Sequence, residues 1–310
     1  MASGGSEEAV STPAREAPMI IREPVVAGHF YAASAARCGA DLNALLTEAA
    51  GLGGEASDPL LGGLVPHAGW ACSGRTAARV FHALSLRRHP KVMVMFGGVH
   101  RFRGKEAAMF GSGRWQTPLG DLDVDFRLAE RILGHTNLIV DDPYAHEDEH
   151  SLEVQLPFVK RLFPSMKILP LMVPINARAA EVGDAVARTL IAYDYDAMIV
   201  GTTDLTHYGP HYGFTPQGVG GKANAWAKEV NDRRFIERVC KMQSSEVVAE
   251  AAQHRNACNA GATAATIAAV TALGATEGVL LEHTTSAEML GGKSGTELAD
   301  SVGYAGIVFR

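Results

Sequence analysis

From Leu60 onward, short apolar runs alternate with longer helical patterns, and no other feature of the chain constrains its fold as strongly. LLGGLVP at 60–66, VMVMFGG at 92–98, ILPLMVPI at 168–175 and AMIVGTT at 197–203 have strand length. They show no apolar/polar alternation, which marks strands buried on both faces. Helical patterns lie between or after them, at 73–86, 176–193 and 223–239. Strands and helices in this order build βαβ units. The expected fold is therefore α/β, a three-layer α/β/α sandwich around a mainly parallel or mixed sheet. An Ala-rich helix beginning near Cys258, then VLLEHTTS and a closing strand SVGYAGIVF, complete the pattern. No repeat, linker or composition break follows residue 20, so residues 20–310 read as one domain. Residues 1–19 hold few large apolar side chains and read as a flexible tail.

Charge narrows the classes of partner. A formal net charge of −6 over 310 residues, with a pI near 6.1, gives no basic footprint to offset phosphate, so no nucleic-acid partner is expected. No apolar run approaches the roughly 20 residues needed to span a bilayer, and the first residues lack the apolar core of a signal peptide. The expectation is a cytoplasmic protein without membrane contact. Cys38, Cys72, Cys240 and Cys258 are too scattered for a disulfide framework or a CxxC zinc site.

Polar residues gather where the strands end. His67 follows LLGGLVP, His100 follows VMVMFGG, and Asp204 and His207 follow AMIVGTT. In open parallel sheets that edge is where ligands bind. Imidazoles brought together there suit Fe, Cu, Ni or Zn. Cys258, placed by the pattern in the first turn of the Ala-rich helix, adds a donor whose thiolate form the helix dipole favours. The Gly-rich stretch at 209–224 fails the P-loop pattern, because Lys222 is followed by Ala223, and reads as a surface loop near the site.

The stretch HEDEH, His146 to His150, also matches the zinc-protease signature H-E-x-x-H. That chemistry needs both histidines inside a helix backed by an apolar face. Here the match precedes an amphipathic pattern and reads as an acidic helix entrance. Glu149 and His150 remain candidates to orient a metal-bound imidazole or to act as acid and base.

REPVVAGHFY, VPHAGW, GGVH, DEHSLEVQLPF, TTDLTHYG and the Cys of NACNAGA, in this order, resemble the Memo family, also known as AmmeMemoRadiSam system protein B. The resemblance runs from about Ile20 to the C-terminus. It implies the fold of class III extradiol dioxygenases and a mononuclear metal site of two histidines and a cysteine, which by motif fall on His67, His100 and Cys258. It also implies that Asp204 and His207 line the pocket. His146 lies outside the matched motif, whereas His150 lies within it. Three departures stand beside the match: Trp70 where relatives often carry Tyr, GGVH where relatives often carry a polar residue in a G-P-S-H stretch, and Asn259 where Gly often follows the Cys. The implied cofactor is one transition metal ion, Fe or Cu, with Zn also compatible. A thiolate in place of the dioxygenase carboxylate argues for redox chemistry other than catechol cleavage, since it is easily oxidised. The open alternatives are a peptide- or small-molecule-binding or metal-handling module without catalysis, a dioxygenase, and metal-assisted hydrolysis. The family's prokaryotic name further implies association with a radical-SAM protein.

Overall fold

The computed structural model describes residues 20–52, 59–86, 88–100, 104–291 and 299–310; the expected N-terminal tail at 1–19 lies outside the described residues. In chain order the strands are β1 (Ile21–Arg22), β2 (Gly62–Val65), β3 (Val92–Gly97), β4 (Ala107–Met109), β5 (Arg114–Trp115) and β6 (Leu122–Asp123). They continue with β7 (Ile139–Asp141), β8 (Lys167–Met172), β9 (Ala197–Thr202), β10 (His207–Tyr208), β11 (Gly278–Thr285) and β12 (Ser301–Phe309). A nine-stranded mixed sheet has the order β10-β12-β2-β9-β3-β8-β4-β7, with β11 also paired to β12. At its centre β2, β9, β3 and β8 run parallel, and β12 and β4 flank this group antiparallel. The non-alternating runs are these central strands, and every residue of β2, β3 and β9 is buried.

Helices cover both faces. Trp70–Ser85 packs on β2 and β12 and is backed by Ala35–Gly51 and Leu156–Leu162. On the other face, Ala260–Ala272 lies across β9, β3 and β2 and packs against Ala179–Ala192. Small residues allow the two helices to approach closely. A Cβ on Gly183 would stand 2.0 Å from the Ala265 carbonyl oxygen, so only glycine fits there. Residues Ala260 to Val270 are buried on all sides, the signature of a helix with no solvent face. No helix among the described residues is long and apolar enough to cross a membrane.

A second, three-stranded sheet, β1-β5-β6, was not visible in the sequence pattern because its strands are two residues each. Its role is to fasten the N-terminal segment. Arg22 pairs with Glu153, both side chains being almost fully buried, and it stacks 4.4 Å over the Trp115 ring. Arg22 also donates to the carbonyls of Glu149 (2.7 Å) and His146 (3.3 Å). Glu153 accepts further bonds from Val25 N, Val26 N and Tyr31 Oη, each at 2.9 Å.

Two expected helices differ in the structure. HEDEH is not a helix entrance: Pro143–His146 is a 3-10 turn, a second 3-10 turn spans Glu153–Gln155, and the α-helix begins only at Leu156. The acidic side chains Glu149 and Glu153 are drawn into buried bonds, so they do not stand at a solvent-facing helix end. The helix expected over 223–239 is interrupted by a π-helical turn at Ala227–Asp232.

Candidate metal centre

Three neighbouring parallel strands deliver the site. β2, β9 and β3 are consecutive in the sheet, and past their carboxyl ends stand His67, Asp204 and His100. A fourth side chain, His150, comes from the turn between the two 3-10 segments. One ring nitrogen from each of His67, His100 and His150 lies within 4.8 Å of the other two. The His100 and His150 rings stack with centroids 4.6 Å apart, and His67 meets each of them edge-on.

Glu149 orients this cluster. Its carboxylate accepts from His100 Nδ1 at 3.0 Å, from His100 N at 3.1 Å and from Ser151 N at 2.7 Å. With Nδ1 committed, His100 presents Nε2 as its free lone pair, the usual arrangement for an imidazole ligand backed by a carboxylate. Burial pushes the Glu149 carboxyl up, but the bonds from His100 and Ser151 outweigh it and hold its pKa at about 2. The same contact raises the pKa of His100 against the opposing effect of burial. His150 moves the other way, lowered by burial and by the neighbouring His100 charge.

His67 and Cys258 form the second half. Cys258 Sγ lies 3.3 Å from His67 Nε2 and accepts a hydrogen bond from Asp204 N at 3.2 Å. The Asp204 carboxylate accepts from His67 N at 2.8 Å and keeps its other oxygen 3.9 Å from His67 Nε2. Among the described residues, the buried His67 Nδ1 has no hydrogen-bond partner. Burial lowers the His67 pKa to about 4, so the ring is neutral and able to donate a lone pair. Burial also pushes the Cys258 thiol up, with the Asp204 charge adding to the shift. An N/N/S donor set with a carboxylate-backed imidazole fits a transition metal ion.

Cys258 is not in the first turn of its helix as the pattern implied. It precedes the N-cap Asn259, held there by its own N–H donating to Asp204 O at 3.1 Å and by Asn259 N donating to Thr203 Oγ1 at 3.1 Å. Asn259 does not cap the helix with its side chain. In the orientation that satisfies its amide, it accepts from Gly98 N at 3.1 Å and donates to Cys258 O at 2.9 Å. A Cβ on Gly98 would fall 1.6 Å from that amide, so the second glycine of GGVH is what lets β3 and the Cys258 segment meet. Thr203 and Ser151 were missed by sequence reasoning, and Asn259 was singled out only as a departure from the family pattern. Their one sequence signal is that each adjoins a singled-out residue.

The remaining expected residues are placed as follows. His207, on β10, stands outside the three-histidine cluster; its Nδ1 donates to Leu205 O at 3.1 Å and its ring meets Tyr212 edge-on at 5.1 Å. Trp70 turns its indole into the protein, donating to Val154 O at 3.0 Å and packing on Phe158. His146 points away from the site into the core, its Nε2 3.1 Å from Ala108 O.

Fold and site together define an α/β protein whose sheet-edge histidines fit a metal-binding role. Residues 22–308 match the family model of the Memo-like proteins, and the chain belongs to that family. A MEMO1 family protein of Methanopyrus kandleri is 33% identical over 93% of this chain and 99% of its own length. One from Pyrobaculum aerophilum is 33% identical over 94% and 99%. Among solved structures, an uncharacterized protein from Escherichia coli K12 aligns with a TM-score of 0.47 at 10% identity, over 81% of this chain and 100% of that one.

Proposed function

We propose that the protein binds one iron or copper ion through His67, His100 and Cys258 and serves in metal-dependent redox chemistry. The observation that carries this reading is the approach of Cys258 Sγ to His67 Nε2, 3.3 Å apart, beside an imidazole fixed by Glu149. A soft thiolate with two imidazoles suits copper, or iron at an altered potential, better than the all-oxygen sites of magnesium or calcium. A bound ion of this kind supplies one-electron exchange and Lewis acidity. The chain's own residues supply the rest: Glu149 holds the His100 tautomer, and Asp204 secures the His67 backbone. Asp204 and His207 are the groups that orient a small-molecule or peptide ligand or carry its proton.

A second ligand set has its own support. His150 completes a three-imidazole cluster with His67 and His100, all within 4.8 Å, and this set needs no thiolate. Elemental analysis of protein purified without chelators or a histidine tag separates the two, comparing wild type with Cys258→Ala and His150→Ala. About one iron or copper per chain, lost in Cys258→Ala, supports the His/His/Cys set. Metal kept in Cys258→Ala and lost in His150→Ala moves the site to three imidazoles, and no metal in any form overturns the reading.

A further inference from the structure

The segment carrying Asp204 and His207 and the segment carrying Cys258 are tied together by a buried polar hub. The hub is the π-helical turn Ala227–Asp232. An i→i+5 turn inserts a residue into the helix and shifts its facing, and such turns recur where a protein needs a side chain placed out of helical register. Here two successive side chains, Asn231 and Asp232, are each 1% exposed. Both reach Thr206, between Asp204 and His207: Asn231 Nδ2 donates to Thr206 Oγ1 at 3.0 Å, and Asp232 Oδ1 accepts from Thr206 N at 2.9 Å.

The same turn reaches the other segment. Asn231 Nδ2 also donates to His254 O at 3.0 Å, and Asn231 O accepts from Asn256 Nδ2 at 3.0 Å, two residues before Cys258. Behind Asp232, His283 Nε2 donates to Oδ2 at 3.0 Å. Gly303 of β12 makes room: a Cβ there would stand 2.0 Å from Asp232 Oδ2, while the Gly303 carbonyl accepts from Leu205 N at 2.8 Å. A buried carboxylate and amide are costly unless fully bonded, so this arrangement is rigid where it is satisfied.

We propose that Asn231 and Asp232, backed by His283, are positioning residues that set the spacing between Asp204 and Cys258 by holding Thr206 and Asn256. The inference rests on the metal-site reading above, because the spacing matters through the hydrogen bond from Asp204 N to Cys258 Sγ. Its test is the cobalt(II)-loaded full chain, read by the thiolate-to-cobalt charge-transfer band and by cobalt affinity. Asn231→Ala and His283→Gln should shift or weaken the band and lower cobalt affinity at least about tenfold, as lost support behind ligands does. Thr189→Val, which removes a buried hydroxyl bond to Ala185 O far from the site, should lower stability and leave the band unchanged. Should Asn231→Ala fail to fold, Thr206→Val removes the same bond with little change of shape and carries the test. A wild-type band and wild-type affinity in folded variants overturn the proposal alone. No thiolate band in the wild type overturns the metal-site reading and the proposal with it.

Discussion

His146 and His150 stand four residues apart in one motif and end in two different regions of the molecule. His146 is fully buried in the core beside the small sheet, edge-on to the rings of Phe110 and Trp115; its Nε2 meets the Ala108 carbonyl, and its Nδ1 has no hydrogen-bond partner among the described residues. His150 is half-buried at the sheet edge, stacked on His100 and 4.0 Å from a Glu149 carboxylate oxygen. Burial lowers the pKa of both rings, that of His146 to about 3. What separates them is company: His150 stands with His67 and His100 in a cluster of ring nitrogens within 4.8 Å of one another, and among the described residues His146 joins no such cluster. An H-E-x-x-H match brings two imidazoles together only on a helix, and this stretch is a 3-10 turn followed by an open turn.

The largest effect that bears on this contrast comes from Arg22, which bonds the carbonyls of both His146 and Glu149. Arg22→Ala leaves the Glu153 carboxylate buried and unpaired, and should cost about 3–5 kcal/mol in urea unfolding while also weakening metal binding. A loss below about 1 kcal/mol would mean that the ion pair does not brace the two regions.

Next come the histidines themselves. If the proposed site holds, His150→Ala should loosen the bound ion at least about tenfold, since His150 stacks on the His100 ring. His146→Leu should leave metal affinity unchanged and cost about 0.5–1.5 kcal/mol through the lost hydrogen bond to Ala108 O. Competition titration with a metal-binding dye reads both, and equal losses in the two variants would erase the distinction drawn here.

A further effect is in pH. The folded pKa of His146 lies near 3 and its ordinary value is 6.5, so on acidification the unfolded chain takes up the proton first. The contribution of neutral His146 is complete above about pH 6.5 and is lost as pH falls toward about 3. In metal-free protein, His146→Leu should therefore flatten the decline in unfolding free energy across that window by up to one proton. An unchanged slope would show that the ring is not held neutral.

Much of this was legible in the chain because its central strands are apolar on both faces. The sheet centre and the placing of His67, His100 and Asp204 at one edge follow from run length and from the residue that ends each run. Residues held by long-range bonds were not legible. Glu149 read as a helix-entrance acid, because nothing local reveals that Arg22, more than a hundred positions earlier, draws the segment inward. Cys258 read as helical because the helix pattern begins there, while the bonds to Thr203 and Asp204 that hold it before the N-cap come from another strand. The two-residue strands β1, β5 and β6 carry too few residues for any periodicity.

The central claim is that Cys258 and the strand-end imidazoles share one metal ion. X-ray absorption at the edge of the metal bound to the purified wild-type protein tests it most directly. The account predicts one sulfur neighbour at about 2.3 Å together with imidazole nitrogens at about 2.0–2.1 Å, with the sulfur absent in Cys258→Ala. A shell of nitrogen and oxygen alone in the wild type would contradict it and leave Cys258 as a packed thiol beside a three-imidazole site.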